Sequence, residues 1–78
     1  MAYFVRRKSD LTVDYVSQEP LRDNGNNTFT VDVDTYIGYP DWSRDEFDLI
    51  EAEVTLPDWF TLSTHRLLEN DGTYFLEL

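Results

Sequence analysis

Residues 43–54 read SRDEFDLIEAEV, and the fold class turns on them. Ser43 and Glu46 have the spacing of a helix capping box, in which the Ser hydroxyl and the Glu carboxylate each accept a free backbone N–H. Phe47, Ile50 and Val54 then fall on one helical stripe. The same residues also alternate. Ile50, Ala52, Val54 and Leu56 are separated by Glu51, Glu53 and Thr55, the period of a half-buried strand. A short helical turn at about 43–49 followed by a strand at about 50–56 satisfies both patterns and is the expected arrangement. A single helix over 43–54 is the alternative, and it would make the fold α+β instead of mainly β.

Period-two patterning dominates the rest of the chain. Residues 2–7 form an expected first strand, with a turn near Lys8, Ser9 and Asp10. Leu11, Val13 and Tyr15 alternate with Thr12 and Asp14, which predicts a second strand with those three on one face. Asn24-Gly25 is a strong hairpin signal and should link this strand to a third. The third has Phe29, Val31, Val33, Thr35 and Ile37 inside, and Thr30, Asp32, Asp34 and Tyr36 outside. Pro40-Asp41-Trp42 and Pro57-Asp58-Trp59 repeat a motif suited to a type I turn, each followed by an aromatic expected to re-enter the core. Residues 69–73, ENDGT, predict a type I turn closed by glycine, with strands at about 59–68 and 73–78. The expected fold is mainly β: a small twisted antiparallel sheet of five or six strands with at most one short helix, spanning residues 1–78 as a single acidic domain.

The composition supports a packed core, with 41% hydrophobic residues including five Phe, five Tyr and two Trp. The absence of cysteine excludes disulfides and thiolate metal sites. No apolar run approaches the roughly 18 residues of a membrane-spanning helix. The N-terminal residues MAYFVRRK place charge after a very short apolar run, the reverse of a signal peptide, so a cytoplasmic location is expected.

Catalytic signals are weak. His65 is the only histidine, and Ser63-Thr64-His65 invites a nucleophile–base reading. On a strand, residues two apart lie about 6.6 Å from one another, too far for a direct hydrogen bond. Carboxylate pairs suit glycoside hydrolysis, but a chain this short offers little substrate cleft. Clusters such as Asp23-Asn24-Gly25-Asn26-Asn27 lack the EF-hand spacing, and turn chemistry accounts for them. No catalytic residue, metal site or cofactor is expected.

The charge is the informative feature. Sixteen acids stand against six Lys and Arg, a net charge of −10, and three of those cations are clustered at Arg6, Arg7 and Lys8. Residues 41–53 alone carry six carboxylates and one cation. Such a surface repels nucleic acid and anionic lipid and attracts basic protein surfaces. Carboxylates two apart on a strand, about 6.6 Å, approach the pitch of backbone phosphates. Asp32, Asp34, Asp45, Asp48, Glu51 and Glu53 are expected to form such a row, with Tyr36 and Trp42 as aromatic anchors. In size, acidity and lack of cysteine the chain is similar to virus-encoded inhibitors of host nucleases, the anti-CRISPR and anti-restriction proteins that imitate nucleic acid. That resemblance implies a non-enzymatic inhibitor acting in the host-cell cytoplasm on a basic nuclease or effector complex. The alternatives are an immunity- or antitoxin-like partner or accessory subunit, and a salt-adapted acidic domain whose charge only maintains solubility.

Overall fold

The computed structural model describes residues 2–32 and 41–77, and those residues form an all-β structure of eight strands without a helix. Ser43 does act as a cap, but of a turn. Its Oγ accepts the backbone N–H of Asp45 at 3.2 Å, and its carbonyl accepts that of Glu46 at 3.1 Å. The chain then extends at once into a strand, Phe47–Ala52, so neither the helical turn over 43–49 nor the helix over 43–54 forms. The reason is that this strand buries apolar side chains on both sides. Phe47 and Leu49 pack against one hydrophobic cluster, while Ile50 and Ala52 are buried in another. A helix would present one stripe, whereas a strand sends successive side chains to opposite faces.

In chain order the strands are β1 (Ala2–Arg7), β2 (Val13–Ser17), β3 (Arg22–Asp23), β4 (Thr28–Thr30), β5 (Trp42–Ser43), β6 (Phe47–Ala52), β7 (Arg66–Asn70) and β8 (Thr73–Glu77). They form three antiparallel sheets, ordered β2-β1-β6, β3-β4-β5 and β7-β8. The expected single sheet of five or six strands is therefore divided. β1 explains the division. It is the middle strand, pairing from Ala2 with Ala52 to Arg7 with Phe47, and it is apolar in both parities. Phe4 joins Ala2, Val13, Ile50, Ala52 and Leu67 on one face, against which Tyr74 and Leu76 of the β7-β8 hairpin pack. Val5 joins Phe29, Val31 and Trp42 on the other. A sheet with two apolar faces needs a cover on each, and the two smaller sheets supply them.

β2 departs from the alternation expected of it. Leu11 has a positive φ of 66° and lies in the turn, so the strand begins only at Val13. Val5 pairs with Tyr15, but Arg6 pairs with Val13, leaving Asp14 as a bulge. The bulge sends Val13 and Tyr15 to opposite clusters. The Asn24-Gly25 hairpin forms, closed by Asn24 N–H to the Thr28 carbonyl at 3.0 Å, but it joins β3 to β4 and not β2 to the third strand. Phe29 and Val31 point inward as expected, and Thr30 is buried as well, at 2% exposure. The proposed continuation through Val33, Thr35 and Ile37 lies outside the described residues.

The last hairpin has a two-residue loop. Asp71 and Gly72 both have positive φ, 53° and 81°, which is the type I′ geometry that matches strand twist, not the expected type I turn. Residues 59–65 are not strand. They form a turn-rich loop anchored by Phe60 N–H to the Pro57 carbonyl at 3.0 Å and Ser63 N–H to the Val13 carbonyl at 2.7 Å.

Candidate acidic interaction surface

The six cations are all committed within the chain. Arg6 lies opposite Asp48 in the β1–β6 register, bonds its carboxylate at 3.0 Å and donates to the Leu67 carbonyl at 2.9 Å. Its guanidinium stands 5.9 Å from the centre of the Tyr74 ring, and its buried Nε has no hydrogen-bond partner among the described residues. Lys8 approaches the other Asp48 oxygen at 3.7 Å. Arg7 bonds Asp14 at 3.1 Å and lies 3.7 Å from Asp10. Arg22 faces Asp32 at 3.7 Å, Arg44 faces Asp23 at 3.6 Å, and Arg66 holds Glu77 through two bonds of 2.8 Å. Asp10 also accepts from the Thr12 hydroxyl and backbone N–H; these bonds and the nearby Arg7 lower its pKa below the ordinary 3.8.

These pairs sort the expected surface residues. Asp48 shares the face of Ile50 and Ala52 and serves an internal ion pair. Asp32 is exposed but paired with Arg22. Trp42 is a core residue, 3% exposed, with its ring near Phe29 and Tyr15 and its Nε1–H bonded to Asp14 at 3.0 Å. It cannot serve as a surface anchor. Asp34 and Tyr36 lie outside the described residues. Asp45, Glu51 and Glu53 are exposed, as expected, and none has a cation partner among the described residues.

Asp41 and Glu46 join them. The local turn explains why sequence reasoning set them aside, yet both carboxylates are exposed and lack a cation partner among the described residues. Asp41 and Asp45 instead accept from the side-chain amides of Asn24 and Asn27, each at 3.1 Å. The remaining described acids without a cation partner, Glu19, Asp58, Glu69 and Asp71, are scattered. Five such carboxylates therefore lie within residues 41–53.

They form two ends, not a continuous row. Asp41, Asp45 and Glu46 flank the β5–β6 turn, where an open groove of about 500 Å³ is lined by Arg7, Lys8, Ser9, Asp45, Glu46 and Phe47. Glu51 and Glu53 lie at the far end of β6 and line a second depression of about 260 Å³ with Ala52, Gly72, Thr73 and Tyr74. From Glu46 to Glu51 is roughly 16 Å along the strand, and Asp48 between them is neutralised. The pKa of Tyr3 is raised by desolvation first, then by the charge of Glu51 and hydrogen bonding with it, then by the charge of Glu19.

The other candidates resolve into local structure. His65 Nδ1 lies 3.1 Å from both the Thr64 hydroxyl and the Thr61 carbonyl, and its ring sits against Trp59 and Phe60. Thr64, not Ser63, is the hydroxyl beside it, and these contacts shape the loop. Asp23 accepts from Gly25 N–H and Asn26 from the Thr28 hydroxyl, so the Asn-rich segment spends its oxygens on its own turn. Among the described residues no group of three or more His, Asp or Glu could hold a metal ion. The feature that sequence reasoning missed is Trp59, 58% exposed although its Pro-Asp-Trp context matches that of buried Trp42. Comparison with protein-family models, with curated proteins and with solved structures found no match for this chain.

Proposed function

We propose that this chain is a non-enzymatic acidic protein that binds the Arg- and Lys-lined nucleic-acid-binding surface of a partner protein and blocks it, as inhibitors of the anti-CRISPR and anti-restriction kind do. One observation carries the reading. Each of the six Lys and Arg has a carboxylate of the same chain within ion-pair distance, while Asp41, Asp45, Glu46, Glu51 and Glu53 stand exposed without a cation partner among the described residues. Uncompensated carboxylates repel one another, and a basic partner removes that repulsion on binding. The same field steers the encounter and speeds association. The two acidic ends, roughly 16 Å apart along β6, suit a partner with cations spaced along a groove better than one with a single basic pocket.

The test is a competition. The partner is captured from a host lysate at low salt, and its binding is then measured with nucleic acid present and at rising salt. Binding is expected to fall steeply with salt and to be displaced by nucleic acid. The double substitution Glu51→Lys/Glu53→Lys should weaken it at least tenfold, and it avoids Asp48, whose loss would unpair Arg6. A complex that binds nucleic acid simultaneously, or whose affinity ignores salt, would overturn the reading.

A further inference from the structure

Trp59 is the largest exposed hydrophobic side chain among the described residues, and the structure holds it in place. Its carbonyl accepts from the Thr61 hydroxyl at 3.4 Å, and its ring centre lies 5.4 Å from that of His65. His65 is fixed in turn by Thr61 and Thr64, and its carbonyl accepts Val13 N–H at 3.0 Å, tying the loop to β2. Ser63 adopts a positive φ of 67°, a conformation costly for a residue with a side chain, to let its N–H reach the Val13 carbonyl. Phe60, the next residue, packs against the core, so the loop divides its aromatics into one anchor inside and one ring outside. The Trp59 indole N–H bonds no described residue, whereas that of Trp42 is bonded to Asp14.

A preorganised, solvent-facing Trp is a strong interface residue, because little ordering remains to be done on binding. The charge around it selects the occupant. The neighbouring Asp58 is exposed and has no cation partner among the described residues, and the chain carries −10 overall. A second copy with the same charge is repelled, whereas a cation is attracted both by the field and by the negative face of the indole ring. We propose that Trp59, with Asp58 beside it, is a platform for an arginine side chain of the basic partner, the guanidinium stacking on the indole face. This rests on the acidic-surface reading above and gives it the aromatic element that buried Trp42 cannot provide. Arginine is favoured over lysine because a planar guanidinium stacks on a ring as well as pairing with a carboxylate.

The test uses the whole chain labelled with ¹⁵N and titrated with an arginine-rich hexapeptide, alongside a lysine-rich peptide of equal charge and a neutral one. The Trp59 indole N–H resonance should shift on arginine peptide, more than on lysine peptide, while that of Trp42 stays in place. Trp59→Ala should weaken arginine-peptide binding roughly threefold, and Trp59→Phe should recover part of it. Circular dichroism checks that both variants remain folded. If the peptide binds with the usual salt dependence but neither the Trp59 resonance nor Trp59→Ala responds, the platform fails while the acidic surface stands. Equal shifts with the neutral peptide would mean plain apolar docking, and shifts on concentrating the chain alone would mean self-association. Either result overturns the proposal, as does an absence of any peptide binding.

Discussion

Asp14 shows how one residue can serve two layers. As the bulge in β2 it is free of strict alternation, and its two oxygens reach Arg7 on β1 at 3.1 Å and Trp42 on β5 at 3.0 Å. Asp14→Ala leaves the buried indole N–H without an acceptor and should cost about 1–3 kcal/mol in denaturant unfolding. Asp14→Asn keeps an acceptor and should cost less; equal losses would mean that the charge, not the bond to Trp42, matters. This residue also marks a limit on reading the sequence. Thr12-Val13-Asp14-Tyr15 alternates perfectly, and nothing in it reveals the bulge, because the extra residue is defined only by its partner strand. The two Trp residues make the same point. Identical Pro-Asp-Trp contexts lead to 3% and 58% exposure because Trp42 lies on β5 opposite Phe29, whereas Trp59 lies in a loop outside any strand. For the same reason Asp48 resembles Glu51 in sequence but faces Arg6 across the sheet.

At the scale of elements, local turn chemistry was the legible part. Residues 2–7 as a strand and turns at Asn24-Gly25 and Asp71-Gly72 follow from alternation and turn residues, and they form, although the first turn joins β3 to β4 and the second is type I′ with a shorter preceding strand. The ambiguity of SRDEFDLIEAEV also has a physical origin. β6 is apolar at both parities because it is covered on both faces, and two superposed period-two patterns imitate a helical stripe. The division into three sheets was not legible, since it depends on the β5–β6 turn carrying the chain from one layer to the next. The β7–β8 loop permits a sharp test. Gly72→Ala puts a side chain at φ 81° and should destabilise the hairpin by about 1 kcal/mol. Asp71→Asn creates the preferred Asn-Gly pair and should be neutral or stabilising by a few tenths of a kcal/mol. Thermal unfolding of the two variants checks the sign of each. A tolerated Gly72→Ala would mean that the loop is not held in the type I′ form.

For the molecule as a whole, repulsion among uncompensated acids opposes folding, while the internal ion pairs support it. Salt screens both, but the acids outnumber the pairs' cations, so net repulsion should dominate. Melting temperature at neutral pH should therefore rise between about 20 mM and 500 mM NaCl, over which the screening length falls several-fold. The gain should vanish near the isoelectric point of about 4.1, where the net charge passes through zero. A melting temperature that falls with salt at pH 7 would show that the ion pairs outweigh the repulsion. The placement of β1 carries one more consequence. The strand at the centre of the main sheet is made from the first residues described, and its far partner, ending at Ala52, is some fifty positions along the chain. The β1–β6 pairing cannot form until that long loop closes, so its closure entropy comes before the contacts that join these two strands. Folding should accordingly be slow for a chain of this size, in milliseconds to seconds and not microseconds, and stopped-flow refolding should be most sensitive to residues such as Phe4 and Ile50, which pair across the two distant segments.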